Sequence, residues 1–257
     1  MTQKAPAKIN AFLKITGKRG NYHEMVSRFI QIPQLYDTIS FVSKPSNEEF
    51  ILNGDFSCTT QQNTIYKAYQ ALLEAVNDPR IKEYFTTHQV DVIKNIPSFA
   101  GLGGGSSDAA TFLKMVNETL QLGLDTQTLA TIGLRVGADV PFFIYSYKSA
   151  NIQGIGEKVS PFEEALPEFD IVTPKEIDSD TVAVFKNFRA KFYKELSADE
   201  AKKLLQTPTI QALESFTLEE ANDLYTPALD LYPKLKEYAK SSWYFSGSGS
   251  SFFRVKD

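Results

Sequence analysis

Four glycines fall within the five residues 101–105, in the run Pro97-Ser98-Phe99-Ala100-Gly101-Leu102-Gly103-Gly104-Gly105-Ser106-Ser107-Asp108. Backbone without a Cβ turns sharply and offers successive N–H groups to an anion. Ala109, Phe112, Leu113, Val116 and Leu120 then recur at helical spacing. The glycines therefore lead into a helix N-terminus, where free N–H donors and the positive end of the dipole favour a phosphate. Ser106 and Ser107 offer hydroxyls to the same anion, or caps to the helix. A second chemical pair is Tyr22-His23. A flat phenol ring is a platform for a nucleobase, and an imidazole both donates and accepts, although most such pairs only pack a loop. Lys8 and Asn10 stand on alternate positions and so project side by side, and Asp139 lies between Ala138 and Val140. Taken alone, the lysine suits a solvated strand edge and the aspartate suits a turn.

The elements that must carry these groups are legible as patterns. Residues 89–96 have the β-branched content of a strand and deliver the chain to the glycine loop. Residues 8–15 alternate, with Ile9, Ala11, Leu13 and Ile15 on one face and Lys8, Asn10, Phe12 and Lys14 on the other. A turn at 17–21 precedes Tyr22. Strands are expected at 37–43 and 49–52, with Pro45-Ser46-Asn47 as their turn. Residues 63–76 predict a helix with Asn63 as N-cap and a stripe of Ile65, Ala68, Tyr69, Leu72, Leu73 and Val76. Another helix begins at 125–128 and ends at Gly137, after which Pro141 stops helix continuation and makes Val140 extended. Further on, 170–172 and 181–185 read as short strands, and 198–205 and 228–238 as helical. Residues 242–253 read as two apolar strands around a small-residue loop.

Composition narrows the class. The 257 residues suffice for one large domain or two ordinary ones, and 42% hydrophobic with 23% charged residues is normal for a protein with a core. A net charge of -4 argues against a general nucleic-acid or anionic-membrane binder, so an anion site must be local. Cys58 is the single cysteine, which excludes an intramolecular disulfide and points to a reducing compartment. With two histidines and one cysteine the usual zinc clusters are excluded. No apolar signal core or membrane-length run is present, so a cytoplasmic protein is expected.

The glycine loop departs from two common fingerprints. No lysine follows it as in Gly-x-x-x-x-Gly-Lys-Ser/Thr, and Ser106 stands where Gly-x-Gly-x-x-Gly needs its third glycine. Pro-x-x-x-Gly-Leu-Gly-Gly-Gly-Ser-Ser-Asp-Ala-Ala instead resembles the phosphate-binding motif of the galactokinase, homoserine kinase, mevalonate kinase and phosphomevalonate kinase (GHMP) superfamily. Ala5-Pro6-Ala7-Lys8-Ile9-Asn10 resembles its N-terminal motif, Gly137-Ala138-Asp139-Val140-Pro141 its aspartate segment, and Ser246-Gly247-Ser248-Gly249 its third motif. The resemblance spans Ala5 to Phe253. It implies a two-domain α+β GHMP-kinase fold with the active site in the interdomain cleft. Residues 1–152 would form an N-terminal ATP- and substrate-binding domain and 153–257 a shortened C-terminal domain, with Ile152 to Glu157 joining the two.

The resemblance also implies roles. Asp139 would be the catalytic base and Lys8 its partner beside the acceptor hydroxyl. Pro97, Gly101, Leu102, Gly103, Gly104, Gly105, Ser106 and Ser107 would hold ATP, with Asn63 and Lys94 near its adenine or ribose. The triple glycine and the Tyr22-His23 pair are similar to the branch that phosphorylates a cytidine-diphosphate-linked methylerythritol in the non-mevalonate isoprenoid route. There Asn10 would contact substrate, Tyr22 and Phe185 would sandwich the cytosine, and His23 would bond its edge. Magnesium is expected with ATP, yet Gly104-Gly105 occupy the place where relatives set a metal-binding serine, so no metal ligand is assigned. A kinase for homoserine or mevalonate, and a non-catalytic nucleotide-binding module, are the alternatives. Tyr22, His23 and the triple glycine argue against the first, and the joint presence of Lys8 and Asp139 against the second.

Overall fold

Two long strands open the chain, β1 (Thr2–Arg19) and β2 (Tyr22–Ser43), paired through a turn in which Gly20 takes φ +58°. The computed structural model describes residues 1–44 and 49–256 and divides into two units. One contains Met1–Ala7, Pro33–Ile96 and Gly103–Ser146; the other contains Lys8–Ile32, Pro97–Leu102 and the chain from Tyr147 onward. Each long strand thus contributes one end to each unit.

In the first unit the C-terminal half of β2 pairs antiparallel with β4 (His88–Ile93), from Thr38 opposite Ile93 to Ser43 opposite His88. The two-residue β3 (Leu52–Asn53) lies parallel to β4. Helices α1 (Thr64–Val76), α2 (Pro79–Thr87), α3 (Gly104–Thr119), α4 (Thr126–Leu134) and α5 (Val140–Tyr145) complete the unit. The α1 stripe buries Ile65, Ala68, Tyr69 and Leu72, and α3 buries Phe112, Leu113 and Val116, all at the expected spacing. Their rings meet in one aromatic core: Phe50 stacks on Tyr69 at 4.3 Å, and Phe85 meets Phe41 edge-on at 5.4 Å and Phe112 at 5.7 Å. This core holds the middle of α3 through Phe112.

In the second unit the N-terminal half of β2 pairs antiparallel with β5 (Ser149–Gly154), which pairs in turn with β6 (Lys158–Pro161). A second sheet has the order β7 (Phe169–Val172), β9 (Phe252–Val255), β8 (Tyr244–Phe245). Between them lie α6 (Thr181–Asn187), a π-helical turn Phe188–Phe192, then α7 (Ala198–Gln206), α8 (Thr209–Glu214), α9 (Leu218–Ala221) and α10 (Tyr225–Leu231). Arg28 is fully buried here, yet all its nitrogens are engaged: Asn151 Oδ1, Glu164 Oε1, Thr209 Oγ1 and the carbonyls of Leu205 and Thr207 accept from it. Full satisfaction is what makes a buried guanidinium tolerable.

Several expectations are corrected. Residues 181–185 form the start of α6, because the Asp180 side chain accepts from Val182 N and Ala183 N and caps a helix. Pro141 opens α5 instead of stopping a helix, since its missing N–H costs nothing in a first turn. The helix begun at Thr126 ends at Leu134 with Arg135 as C-cap, before Gly137. Of the strand expected at 49–52 only Leu52 is in a ladder, as the first residue of Leu52–Asn53, and the Pro45-Ser46-Asn47 turn lies outside the described residues. Residues 228–238 divide into the end of α10 and a 3-10 turn Pro233–Glu237. Ile152, Gln153 and Gly154 are paired residues of β5, and Ile155, Gly156 and Glu157 form the turn to β6. Among the described residues no helix is long and apolar enough to cross a membrane.

Candidate functional site

The alternation of β1 does not separate an inside from an outside, because both faces are covered. Lys8 is 3% and Asn10 2% exposed, which removes the solvated-edge alternative for them. Lys8 Nζ donates to Asn10 Oδ1 at 2.5 Å and to the Gly101 carbonyl at 3.0 Å, and lies 4.6 Å from the centre of the Phe29 ring. Asn10 Nδ2 donates to Ser27 Oγ at 3.0 Å, and Ser27 Oγ donates to the Phe12 carbonyl. A buried ammonium needs such partners on every side.

The same carbonyl of Gly101 accepts from Ser246 Oγ at 3.1 Å, and Ser246 Oγ accepts from Asn10 N at 3.2 Å. Ser251 N donates to the Ala100 carbonyl and Lys8 N to the Leu102 carbonyl. The loops 97–102 and 246–251 thus touch backbone to backbone. A Cβ on Gly249 would stand 1.9 Å from Gly101 N, and one on Gly101 would stand 2.2 Å from the Ser246 carbonyl oxygen. Gly101 and Gly247 also take positive φ, +74° and +62°. Within the second unit, then, the first motif, the start of the glycine loop and the third motif form one hydrogen-bonded cluster. Pro97 is exposed at its edge, as is Phe99, which holds φ +56°.

The rest of the glycine loop belongs to the first unit. Gly103, at φ +72°, is the N-cap of α3, and Gly104, Gly105, Ser106 and Ser107 form its first turn. The serines therefore lie inside the helix and, among the described residues, no side chain caps it. The buried Ser107 Oγ has no hydrogen-bond partner among the described residues. Thr64 Oγ1 donates to the Gly105 carbonyl at 2.6 Å, and Asn63 caps α1 through Ile65 N at 2.9 Å, as expected of an N-cap. A Cβ on Gly137 would lie 3.8 Å from Ser106 Oγ, so the segment ending in the half-buried Asp139 runs beside the first turn of α3. Lys94 has its ammonium between Asp108, at 2.6 Å, and Asp37.

The third group lies in the second unit. Tyr22 is 64% exposed at the start of β2, whereas His23 beside it is buried against rings. His23 stacks on Phe185 at 5.4 Å and 21° and meets Phe188 edge-on at 5.5 Å. Among the described residues Phe185 has its ring contact with His23 and none with Tyr22. Burial, aided by the positive charges of Arg189 and Lys18, lowers the His23 pKa below the ordinary imidazole value. The ring is held neutral. Arg189 Nε donates to His23 Nε2 at 3.4 Å, which leaves the ring proton on Nδ1.

Sequence reasoning missed Arg189, Asn222 and the pair Lys14–Asp223. Asn222 Nδ2 donates to the Phe245 and Gly247 carbonyls at 3.0 and 2.8 Å and so shapes the third-motif loop. Asp223 accepts from Lys14 Nζ at 2.5 Å and from Ile15 N at 2.8 Å, which anchors the strand carrying Lys8. A helical reading of 181–189 would have put Arg189 four residues after Phe185 and on its face. For the other three the chain carries no local signal.

Comparison with known proteins agrees with this geometry. The model of the GHMP kinases N terminal domain matches residues 63–147. The 4-diphosphocytidyl-2-C-methyl-D-erythritol kinase of Sulfurimonas denitrificans is 54% identical over 99% of this chain and 96% of its own, and that of Sulfurovum sp. is 44% identical over 98% of both. A solved 4-(cytidine 5'-diphospho)-2C-methyl-D-erythritol kinase, 29% identical, superposes with a TM-score of 0.74, covering 100% of this chain and 90% of that one. The Methanococcus jannaschii mevalonate kinase, at 16% identity and a TM-score of 0.63 over 100% and 90% of the two chains, shares the fold. With an α+β fold, the glycine loop at the start of α3 and full-length likeness of this degree, the chain belongs to the 4-diphosphocytidyl-2-C-methyl-D-erythritol kinase family of the GHMP kinases.

Proposed function

We propose that this chain transfers the γ-phosphoryl group of ATP to the 2-hydroxyl of 4-(cytidine 5'-diphospho)-2-C-methyl-D-erythritol, in the non-mevalonate route to isoprenoid precursors. The observation that carries this reading is the 54% identity, over 99% of the chain, to a kinase of that name. In this reading Asp139 takes the proton of the attacking hydroxyl as its oxygen closes on the γ-phosphorus, and the bond to the β-phosphate bridging oxygen breaks. Lys8, held by Asn10 and Gly101, supplies a fixed positive charge for the charge that develops in transfer.

The glycine loop is the phosphate site. Gly101, Leu102, Gly103, Gly104 and Gly105 offer backbone, Ser106 and Ser107 offer hydroxyls, and Pro97 bounds the loop. The unpartnered Ser107 Oγ supports this, since a buried hydroxyl without a partner suits a ligand oxygen. Asn63 and Lys94 belong to the nucleotide side. Tyr22 and Phe185 flank the cytosine, His23 reads its edge and Asn10 contacts the acceptor. Neutral His23 suits that task through its Nδ1–H, since Nε2 already accepts from Arg189 Nε and the ring proton is left on Nδ1 to donate to a base acceptor. Magnesium accompanies ATP, but among the described residues no group of three or more His, Cys, Asp or Glu side chains could hold a metal.

Phosphorus-31 spectroscopy of the product tests the reading. A new phosphomonoester on the 2-position is expected. A phosphate on the terminal hydroxyl, or none, would overturn it.

A further inference from the structure

The glycine loop leaves β4 at Ile93 and ends in the first turns of α3, and a buried ion cluster ties its two ends together. Lys94, the first residue after β4, donates to Asp108 Oδ2 at 2.6 Å and to Asp37. Asp37 Oδ1 also accepts from the backbone N–H of Asn95 at 2.6 Å and Ile96 at 2.8 Å. One aspartate therefore holds the start of the loop, the other sits one turn into α3, and the lysine bridges them.

The cluster is one positive charge short. Asp37 is fully buried and Asp108 is 3% exposed, and a single ammonium faces both carboxyl groups. Asp108 Oδ1 has no hydrogen-bond partner among the described residues. An ionised carboxylate with one buried oxygen accepting nothing is unfavourable, whereas the protonated group is neutral and can be housed there. Among the described residues, the charged groups that shift Asp108 are Lys94, after β4, and Asp37, on β2; of the helices packed on α3, α4 and α5 carry no Asp, Glu, Lys or Arg, and α1 carries Lys67 and Glu74. Burial first, with the Asp37 charge adding and Lys94 opposing, pushes Asp108 up to about 7. The group is thus divided between its two forms near neutral pH.

We propose that Asp108 is a positioning residue of the nucleotide site, held in the frame of Lys94 and Asp37, and that its carboxyl takes up a proton when the triphosphate binds. The proposal rests on the reading of residues 101–107 as the phosphate loop. Asp108 is four residues beyond Gly104, about 6 Å along the helix axis. At that range in a protein interior a polyphosphate raises the cost of a carboxylate. By linkage, nucleotide then binds the protonated form more tightly. Lys94 stays charged throughout: burial alone would lower it, but the two carboxylates raise it above the ordinary lysine value.

The test is calorimetry with a magnesium-saturated, non-hydrolysable ATP analogue in buffers of different ionisation heat, together with KM for ATP and kcat between pH 6 and 9. Wild type is expected to take up part of a proton at pH 7 and more at pH 8. Its KM for ATP is expected to rise above pH 7, approaching tenfold per pH unit, while kcat does not follow that rise. Asp108→Asn, which keeps an oxygen for Lys94, is expected to bind with no uptake from this site and with a KM that stays level. Equal uptake and equal KM profiles in the two proteins would overturn the proposal. Should Asp108→Asn fail to fold, a wild-type count of zero at pH 7 and pH 8 overturns it alone. The phosphate-loop reading fails separately, by undiminished analogue binding in Gly103→Val.

Discussion

Replacing Gly249 by alanine puts the packing of the two loops under direct test. The added Cβ would lie 1.9 Å from Gly101 N, 2.1 Å from the Ala100 carbonyl carbon and 2.5 Å from Gly101 Cα. These are backbone atoms, so no side chain can swing aside. Reaching an ordinary contact of roughly 3.5 Å requires the loops to part by roughly 1.5 Å. Such overpacking costs about 1–3 kcal/mol. The parting also strains the Gly101 carbonyl, which accepts from Lys8 Nζ and Ser246 Oγ, and the Ser251 N–H to Ala100 carbonyl bond. Weakening two of these adds about 1–2 kcal/mol, for a total of about 2–5 kcal/mol. For a chain of this size that lowers Tm by roughly 4–20 °C. Turnover should fall on the order of 100-fold, because Lys8 loses its fixed position. Gly20→Ala is the control: Gly20 has φ +58° but nothing within 4 Å of its Cβ, so only the left-handed strain of about 1 kcal/mol applies. Differential scanning calorimetry and steady-state turnover read both effects. A Gly249→Ala protein no less stable than Gly20→Ala, with wild-type turnover, would refute the steric argument.

Three further outcomes follow from the proposed site. Asp139→Asn should bind ATP nearly as wild type but lose at least ~100-fold in kcat; near-normal turnover of the folded variant would remove Asp139 as the base. Tyr22→Ala should cost on the order of 1–3 kcal/mol in calorimetric binding of the cytidine substrate, while Tyr22→Phe keeps most of the affinity; an unchanged Tyr22→Ala would leave the exposed ring without that role. Because the folded His23 pKa is depressed, its neutral ring persists as pH falls through the ordinary imidazole value, and its stabilisation, present above the unfolded pKa, is lost only as pH falls further. Cytidine diphosphate affinity should therefore hold level through about pH 6.5; a loss of affinity centred there, absent in His23→Ala, would contradict the depressed value.

The glycine loop, its flanking strand and helix, and the Asn63 cap are legible in the sequence because each is set by neighbours along the chain. Local signals mislead where a stronger one lies just outside the segment. The β-branched run Thr181-Val182-Ala183-Val184 suggests a strand, but Asp180 satisfies two N–H groups and starts α6. Pro141 likewise reads as a stop, yet it stands in the first turn of α5, where its missing N–H costs nothing. The alternation of β1 is read correctly for placing Lys8 beside Asn10, yet it conceals that both faces are buried. That follows from partners more than a hundred residues away, such as Asp223 for Lys14 and Ser246 for Asn10. The Arg28 cluster is hidden for the same reason, and Asp108, though only 14 residues from Lys94, because a lone charge in a sequence carries no mark of burial.

ATP consumption across a panel of acceptors reads the proposed activity directly. With purified protein and magnesium, 4-(cytidine 5'-diphospho)-2-C-methyl-D-erythritol should be phosphorylated with a kcat/KM at least ~100-fold above its uridine analogue, a margin that a site hydrogen-bonding the base edge can deliver. Homoserine and mevalonate should give no turnover. Equal turnover of the cytidine and uridine compounds, or turnover of homoserine or mevalonate in place of the cytidine compound, would contradict it.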